Sequence, residues 1–270
     1  MLGLQIAFKK FNARLGIWGS NWVGLKYFVK FFSSYKFSEI IRNTLITSGY
    51  QVLASVPVPI LLALCINVLR NKYFKKTVQL LSYMPHFIST VVMVSILMQL
   101  FNTRNGIIPM FLRLFGVEME NVFASPAVFP HLYVWSGVWQ NAGWNAIIYL
   151  AALSAVSPEL HEAAIVDGAS RLQRVRFIDF PTIIPTISIL LILNMGRVMS
   201  IGFEKIYLMQ NDLNISASEI IATYTYRIGM TGNADYSYST AISMFNSVIN
   251  LILITITNWL SRKLVGSGLF

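Results

Sequence analysis

Charged residues are scarce in this chain of 270 residues: Asp, Glu, Lys and Arg make up 12% of it, whereas 55% is hydrophobic. Soluble domains of this size carry about twice that charged fraction, so the composition indicates a polytopic membrane protein. The formal net charge is +10, but no basic run is interleaved with aromatic residues on a polar scaffold. We therefore expect no nucleic-acid partner and assign the excess positive charge to cytoplasmic loops.

Cysteine and catalytic motifs are also missing. The single cysteine, Cys65, allows neither an intrachain disulfide nor a cysteine metal cluster. His161 and Glu162 begin like the HExxH motif of zinc enzymes, but Ile165 stands where the second histidine would be. The sequence contains neither a P-loop nor a nucleophile elbow. We expect no catalytic residue, metal or cofactor, so any ATP that drives this protein is hydrolysed by another chain.

Five stretches reach the roughly 20 residues that a helix needs to cross a membrane. They predict an all-α, polytopic transmembrane protein with spans at 43–69, 77–101, 129–156, 182–202 and 239–260. Pro57, Pro59 and Pro85 should kink the first two spans, because proline removes a backbone donor and its ring clashes with the preceding turn.

Lys and Arg residues predict the orientation of these spans. The loop at 70–76, the segment at 157–181 and the start of the tail are basic, and the positive-inside rule puts all three in the cytoplasm. Residues 1–42 then form an N-terminal extracytoplasmic segment, although they are basic too. Residues 43–262 form the transmembrane domain, and residues 263–270 form a cytoplasmic tail.

The segment at 157–181, which we call the elbow, separates the third and fourth predicted spans. Ser157 can cap a first helix, the proline after it suits the first turn, and Gly168 can leave that helix with a positive φ. A second short helix over about 170–179 is expected to end at Pro181. Two such helices are typical of a docking surface, whereas a loop that only anchors topology would need neither.

Polar and aromatic residues on one broad face of the third predicted span are candidates for a substrate path. They are Tyr133, Gln140, Asn141, Trp144 and Asn145. Amides can hydrogen-bond sugar hydroxyls and rings can pack on sugar faces; alternatively, the amides bridge helices and the rings lie at the membrane interface. Asn194 and Arg197 of the fourth span are further candidates, although Arg197 can also snorkel to the outer interface.

The spacing within the elbow resembles a known motif. Glu162-Ala163-Ala164, then Gly168, then Ile178 and Pro181 are similar to the EAA motif of permease subunits in binding-protein-dependent ABC importers, with Phe180 in place of the usual Leu. The resemblance also covers most of the rest of the chain. The stretches at 22–28, 203–208, 224–227 and 266–270 look like the carbohydrate-import branch, within it the complex-polysaccharide and oligosaccharide permeases.

This resemblance implies an ABC type I importer permease fold in the bacterial plasma membrane, with the usual first span missing here. It implies ABC ATPase subunits, a second related permease, and an extracytoplasmic sugar-binding protein that delivers a carbohydrate. The elbow would insert into a groove of the ATPase, with Glu162, Ala163, Ala164, Asp167 and Gly168 as coupling positions.

Two alternative hypotheses for the function stay open. A secondary transporter would need ionisable residues at mid-membrane, whereas the predicted spans offer only Arg197 near an edge. A non-transporting membrane scaffold would not depend on the polar residues of the third span.

Overall fold

The chain is almost entirely helical in the computed structural model, which describes residues 2–232 and 234–265. The α-helices are α1 (Gly16–Gly19), α2 (Lys26–Phe32), α3 (Phe37–Ser55), α4 (Pro57–Val68), α5 (Lys72–Tyr83), α6 (Thr90–Leu100), α7 (Ile107–Arg113), α8 (Phe129–Leu153), α9 (Pro158–Val166), α10 (Arg171–Arg174), α11 (Phe180–Met195), α12 (Phe203–Met209), α13 (Ile215–Ser218), α14 (Ile221–Met230) and α15 (Tyr236–Val265). Short 3₁₀ turns lie at Leu2–Phe8, Met84–Phe87 and Val198–Ser200, and a π-helical turn lies at Val175–Asp179. The strands β1 (Lys9–Lys10) and β2 (Asn21–Trp22) pair antiparallel.

The predicted all-α class is confirmed. The closing residues 266–270, which contributed to the resemblance, lie outside the described residues.

Within the described residues, three helical segments are long and apolar enough to cross a membrane: Phe37–Val68, Arg171–Met195 and Tyr236–Lys263. A fourth is present if the bent pair Lys72–Phe87 and Thr90–Leu100 is one broken span. The third predicted span corresponds to α8, which has 25 residues but falls outside this apolar group. Its amides and aromatic rings, the same residues that suggested a substrate path, lower its hydropathy.

The first span is interrupted at Val56, as its prolines predict. Helix α3 ends at Ser55, and α4 begins with Pro57 in its first turn. A proline is tolerated there because the first N–H groups of a helix have no intrahelical partner. Helix α3 starts at Phe37, earlier than the predicted start of the span.

The second predicted span is not a kinked helix but a broken one, so a continuous helix over 77–101 is wrong. Helix α5 passes into the 3₁₀ turn at Met84–Phe87, and the following helix begins at Thr90, with a bend of 99° between the two. Pro85 cannot donate a backbone hydrogen bond, and the residue after the turn, Ile88, is extended. Local sequence showed the weak point, but not how far the helix would bend.

The elbow also differs from the prediction at its second helix. Pro181 does not end that helix: Arg171–Met195 runs continuously through the π-helical turn at Val175–Asp179 into the fourth span. A π turn widens the helix locally, and such turns accommodate disrupted hydrogen-bond ladders. Because α11 ends at Met195, Arg197 lies beyond the fourth span, where it precedes the 3₁₀ turn at Val198–Ser200.

The Cα positions divide the chain into two compact units. The first contains residues 1–49, 90–131 and 196–253. Its core is aromatic: the fully buried ring of Phe31 packs edge-on against Phe37 and Phe245, with centroids 5.0 and 5.5 Å apart. The N-terminal residues belong to this core, because the Ser237 hydroxyl accepts from the Phe11 amide and donates to the Lys9 carbonyl.

A buried carboxylate in the same unit joins two of its elements. Glu219 is 1% exposed and forms an ion pair with Arg227 of α14, and its second oxygen lies 3.6 Å from the Lys36 ammonium. Lys36 also pairs with Glu39 at 3.0 Å. The hydrogen bond to Glu39 is the main cause that raises the pKa of Lys36 above its usual value.

The second unit contains residues 50–89 and 132–195 and the described chain from residue 254 onwards. Its apolar core brings α4, α8 and α11 together. The fully or nearly fully buried members are Ile60, Ala63, Leu64, Ala146, Tyr149, Leu153 and Ile183. Both the elbow and most of the candidate substrate-path residues belong to this unit.

Candidate functional site

The first elbow helix, α9, has the start that the sequence predicts. Ser157 has an extended backbone and its hydroxyl accepts from the Glu159 amide at 3.3 Å, while Pro158 occupies the first helical position. Glu159 lies in the first turn, where a negative charge suits the positive end of the helix dipole. The Ser157 hydroxyl and Pro158 thus account for backbone N–H positions at the start of α9 from within the elbow itself.

The exit from α9 is a glycine corner. Gly168 has φ +79°, a conformation in which a Cβ atom is strained. The Gly168 amide bonds the Ile165 carbonyl at 3.0 Å, and the Ala169 amide bonds the Ala164 carbonyl at 2.8 Å. This pair of bonds is a Schellman motif, which closes the helix and reverses the chain.

The second elbow helix starts within two residues of that corner. Ser170 accepts from the Gln173 amide at 3.3 Å, and the Gln173 side chain accepts from the Ser170 amide at 2.7 Å. This reciprocal capping box fixes the direction in which α10 leaves the corner. Both arms of the elbow are therefore defined by local hydrogen bonds.

The elbow presents apolar side chains on its surface. Five of them are between 53% and 87% exposed: Leu160, Ile165, Val166, Leu172 and Phe177. The predicted coupling residues Glu162, Ala163, Asp167 and Gly168 are also exposed, and Ala164 is half-buried. Contiguous exposed apolar surface rimmed by polar residues is typical of a protein interaction site.

Beneath the elbow, a polar contact joins its two arms. The His161 Nε2 atom of α9 lies 3.2 Å from the Asp179 Oδ1 atom at the end of the π turn. The Asn67 amide of α4 approaches the same oxygen at 3.4 Å. A cavity of about 510 Å³, lined in part by these three side chains, lies beside the contact. In the sequence, His161 stands out only as part of an incomplete zinc motif, and no local pattern relates it to Asp179 or Asn67.

Three of the predicted substrate-path residues meet at one cavity. Asn141 and Asn145 of α8 and Asn194 of α11 line a space of about 150 Å³ together with Gln51 of α3. The Gln51 Oε1 atom is buried and has no hydrogen-bond partner among the described residues. Gln51 was not among the predicted residues, although an amide within an apolar span is a signal that could have identified it.

Gln140 and Trp144 serve a different purpose: they hold the broken second span. The Gln140 amide donates to the Ile88 carbonyl at 2.7 Å. The Trp144 ring stacks on His86 with centroids 4.5 Å apart, and the His86 Nδ1 atom lies 3.0 Å from the Asn141 Oδ1 atom. These residues support the interpretation that amides and rings bridge helices, with Asn141 contributing to both groups.

The remaining two candidates do not line this cavity. Tyr133 is 3% exposed within α8. Arg197 belongs to the first compact unit and the other candidates to the second. Of the seven predicted residues, Asn141, Asn145 and Asn194 therefore share the cavity.

Comparison with known proteins identifies the family. Residues 55–266 match the family described as the binding-protein-dependent transport system inner membrane component. The chain belongs to this family. It is accordingly an inner-membrane transport permease and not an enzyme, and the elbow found from residue spacing lies within the matched region.

Individual relatives agree with this membership. The chain is 40% identical to the protein LplB of Bacillus subtilis (strain 168) over 270 residues, which cover all of this chain and 85% of that protein. It is 42% identical to the polygalacturonan/rhamnogalacturonan transport system permease protein YteP of the same organism, again over its whole length and 84% of that protein. A chain of a bacterial alginate ABC transporter, solved in complex with an alginate pentasaccharide-bound periplasmic protein, superimposes with a TM-score of 0.92. That chain is 36% identical, and the match covers 100% of this permease and 89% of that chain. The predicted type I ABC permease fold is confirmed.

Proposed function

We propose that this permease subunit imports a sugar or oligosaccharide, driven by a separate ABC ATPase that docks on the elbow. The observation that carries the proposal is the elbow itself: the short helix α9, capped at both ends, and the capped start of the next helix expose apolar side chains next to Glu162 and Gly168. A helix of this kind fits a groove in a partner, where burial of its apolar face provides the binding energy.

The coupling role follows from how the elbow joins the spans. Helix α9 follows α8 closely, and α10 continues through the π turn into α11. A displacement of the docked elbow therefore acts on helices that carry Asn141, Asn145 and Asn194. Alternating access requires such a connection between a site of energy release and the helices that line the path.

A carbohydrate suits the amides at the 150 Å³ cavity. Gln51, Asn141, Asn145 and Asn194 offer both donors and acceptors, the complement that sugar hydroxyls need. The buried Gln51 oxygen without a partner among the described residues is an acceptor that a hydroxyl could satisfy. Two similar permeases are named for polygalacturonan/rhamnogalacturonan and for alginate, which supports an oligosaccharide as cargo.

The importer would also contain a second related permease and an extracytoplasmic sugar-binding protein. The elbow would face the cytoplasm, as its arginines suggest, and residues 1–42 would lie on the opposite side. Binding-protein dependence is a property of the family, and the structure similar to this chain was solved with a periplasmic protein bound.

Uptake and ATP hydrolysis, measured together in proteoliposomes containing the whole importer, test the coupling role. Galacturonan oligosaccharides carried by the binding protein serve as the probe. Glu162→Ala should lower uptake per ATP hydrolysed by at least about fivefold, the lower end of ordinary coupling between sites. Glu159→Gln, on the same helix and also exposed, should leave the ratio unchanged. Normal uptake with Glu162→Ala would contradict the assignment.

The substrate path has its own test. Gln51→Leu and Asn145→Leu should lower uptake while leaving basal ATP hydrolysis intact, because neither residue is part of the elbow. Uptake by the permease without any ATPase subunit would favour a secondary transporter. Unchanged uptake in both variants would remove the support for these amides and favour the scaffold alternative.

A further inference from the structure

The contact beneath the elbow involves an almost completely buried carboxylate. The Asp179 side chain is 3% exposed, and its Oδ1 atom lies 3.2 Å from the His161 Nε2 atom. The same oxygen lies 3.4 Å from the Asn67 amide nitrogen. A carboxylate removed from water depends on such donors, because an unpaired one in the interior is strongly unfavourable. The three side chains therefore favour one arrangement of the elements that carry them.

The elements that carry these three side chains connect the docking helix α9 with the membrane spans, so a movement of the docked elbow has to pass through them. His161 lies on α9, the arm that bears Glu162, whereas Asp179 ends the π turn that leads into α11. Along the backbone the two arms are joined only through the corner at Gly168. Asn67 lies in the last turn of α4, so the contact also reaches the first span.

The hydrogen bonds that shape the corner at Gly168 lie at the turn itself and do not connect the two arms away from it. Gly168 has no side chain to restrain its backbone, and a Cβ atom built there would meet nothing within 4 Å. A cavity of about 510 Å³, lined by residues of both arms such as Ile165 and Arg171, leaves further room for the arms to move. Without a contact across the corner, a push on α9 would change the angle of the elbow instead of moving the span.

We propose that Asp179, held by His161 and Asn67, is a positioning residue that locks the two arms of the elbow together, so that movement of α9 reaches the first and fourth spans. The proposal rests on the coupling role assigned to the elbow above. The π turn that ends at Asp179 agrees with it, because single π turns within α-helices are frequent at functional sites. Glu162 follows His161 on α9, is exposed and lines the same cavity as His161 and Asp179, so the lock lies directly next to the coupling position.

The ratio of uptake to ATP hydrolysis tests the lock in the complete importer, with galacturonan oligosaccharides as the probe. Asp179→Ala and His161→Ala should each lower the ratio by at least about fivefold, and the double variant should be no worse than either one, because both remove the same contact. Asp179→Asn and His161→Gln keep an acceptor and a donor at these positions and should retain most of the ratio. Thr182→Val is the matched control: its exposed hydroxyl donates to the Ile178 carbonyl of its own helix, at 2.8 Å. Each ratio is taken per assembled complex, so that loss of folded protein does not imitate uncoupling.

A distance measurement that needs no substrate provides the second test. In a Cys65→Ser background, nitroxide labels at Glu159→Cys of α9 and Leu193→Cys of α11 report the angle of the elbow. Both positions are exposed, and neither belongs to the apolar docking surface. The wild-type pair should give one narrow distance, with and without ATP, and Asp179→Ala should broaden it.

The two tests distinguish failure of the proposed function from failure of the lock. If the importer with wild-type sequence shows no ATP-dependent uptake, the proposed function fails, while the label distances still decide on the lock. If the importer works but Asp179→Ala keeps both its ratio and a narrow distance, the lock is refuted and the proposed function stands. Equal losses in Asp179→Asn and Asp179→Ala, or additive losses in the double variant, would also overturn it.

Discussion

Replacing Gly143 with alanine should destabilise the permease, because α8 approaches the end of α5 too closely for a side chain. A Cβ atom built at Gly143 would lie 2.0 Å from the Ser82 carbonyl oxygen and 2.4 Å from its carbon. Non-bonded atoms prefer about 3.5 Å, so the helices would have to separate by about 1.5 Å. The obstacle is backbone, which cannot rotate away as a side chain would.

The magnitude follows from two opposing terms. Overpacking costs about 1–3 kcal/mol, and a backbone obstacle belongs at the upper end of that range. Alanine in place of glycine inside a helix returns about 1 kcal/mol. The net effect expected for Gly143→Ala is therefore about 2 kcal/mol of lost stability, which lowers Tm by about 4–8 °C in a chain of this size.

Thermal unfolding of the purified subunit in detergent measures this effect. Gly49→Ala is the matched control, because Gly49 also lies within a helix, but its added Cβ atom would meet nothing within 4 Å. That variant should gain up to about 1 kcal/mol from helix propensity alone. If Gly143→Ala proves as stable as Gly49→Ala, the close approach of α8 to α5 is wrong, and with it the account of how α8 holds the broken span.

Three further outcomes are expected. Glu219→Ala should cost about 1–3 kcal/mol in thermal unfolding, because it removes the buried carboxylate that pairs with Arg227 and lies near Lys36; Glu39→Ala, in a more exposed ion pair, should cost less than about 1 kcal/mol, and equal losses would refute the distinction. Burial lowers the pKa of Lys205 to about 7. The unfolded chain then binds more protons than the folded one between about pH 7 and 10.5, so Tm should rise with pH across that window, and Lys205→Met should flatten the rise. Gly168→Ala should lower uptake per ATP hydrolysed, because φ +79° strains an alanine by about 1–2 kcal/mol; an unchanged ratio would show that the corner tolerates a Cβ atom.

Local signals predicted the elbow well. The serine cap, the proline in the first turn and the glycine exit all depend on neighbours within a few residues, as does the capping box at Ser170 that the structure adds. Such hydrogen bonds form whatever the rest of the chain does, so sequence is sufficient for them. The end of the second helix was predicted wrongly because Pro181 is a local stop signal, whereas the π turn before it allows the helix to continue.

The candidate substrate path shows the opposite case. Helical spacing predicted that Gln140, Asn141, Trp144 and Asn145 share a broad face, but spacing does not say what lies opposite that face. The structure places the Ile88 carbonyl against Gln140 and the His86 ring against Trp144, and leaves Asn145 at a cavity with Gln51. Residues of one pattern thus have separate partners.

By itself, the sequence determined the membrane class, the helical fold, the capped elbow and the family motif, because composition, hydropathy and caps are local properties. Only the tertiary structure decided how sharply the second span breaks, which amides share a cavity and that Asp179 meets His161 and Asn67. These contacts join residues that are far apart in the chain. They depend on how helices pack, and hydrophobic periodicity tells which residues are apolar but not which helix lies against them.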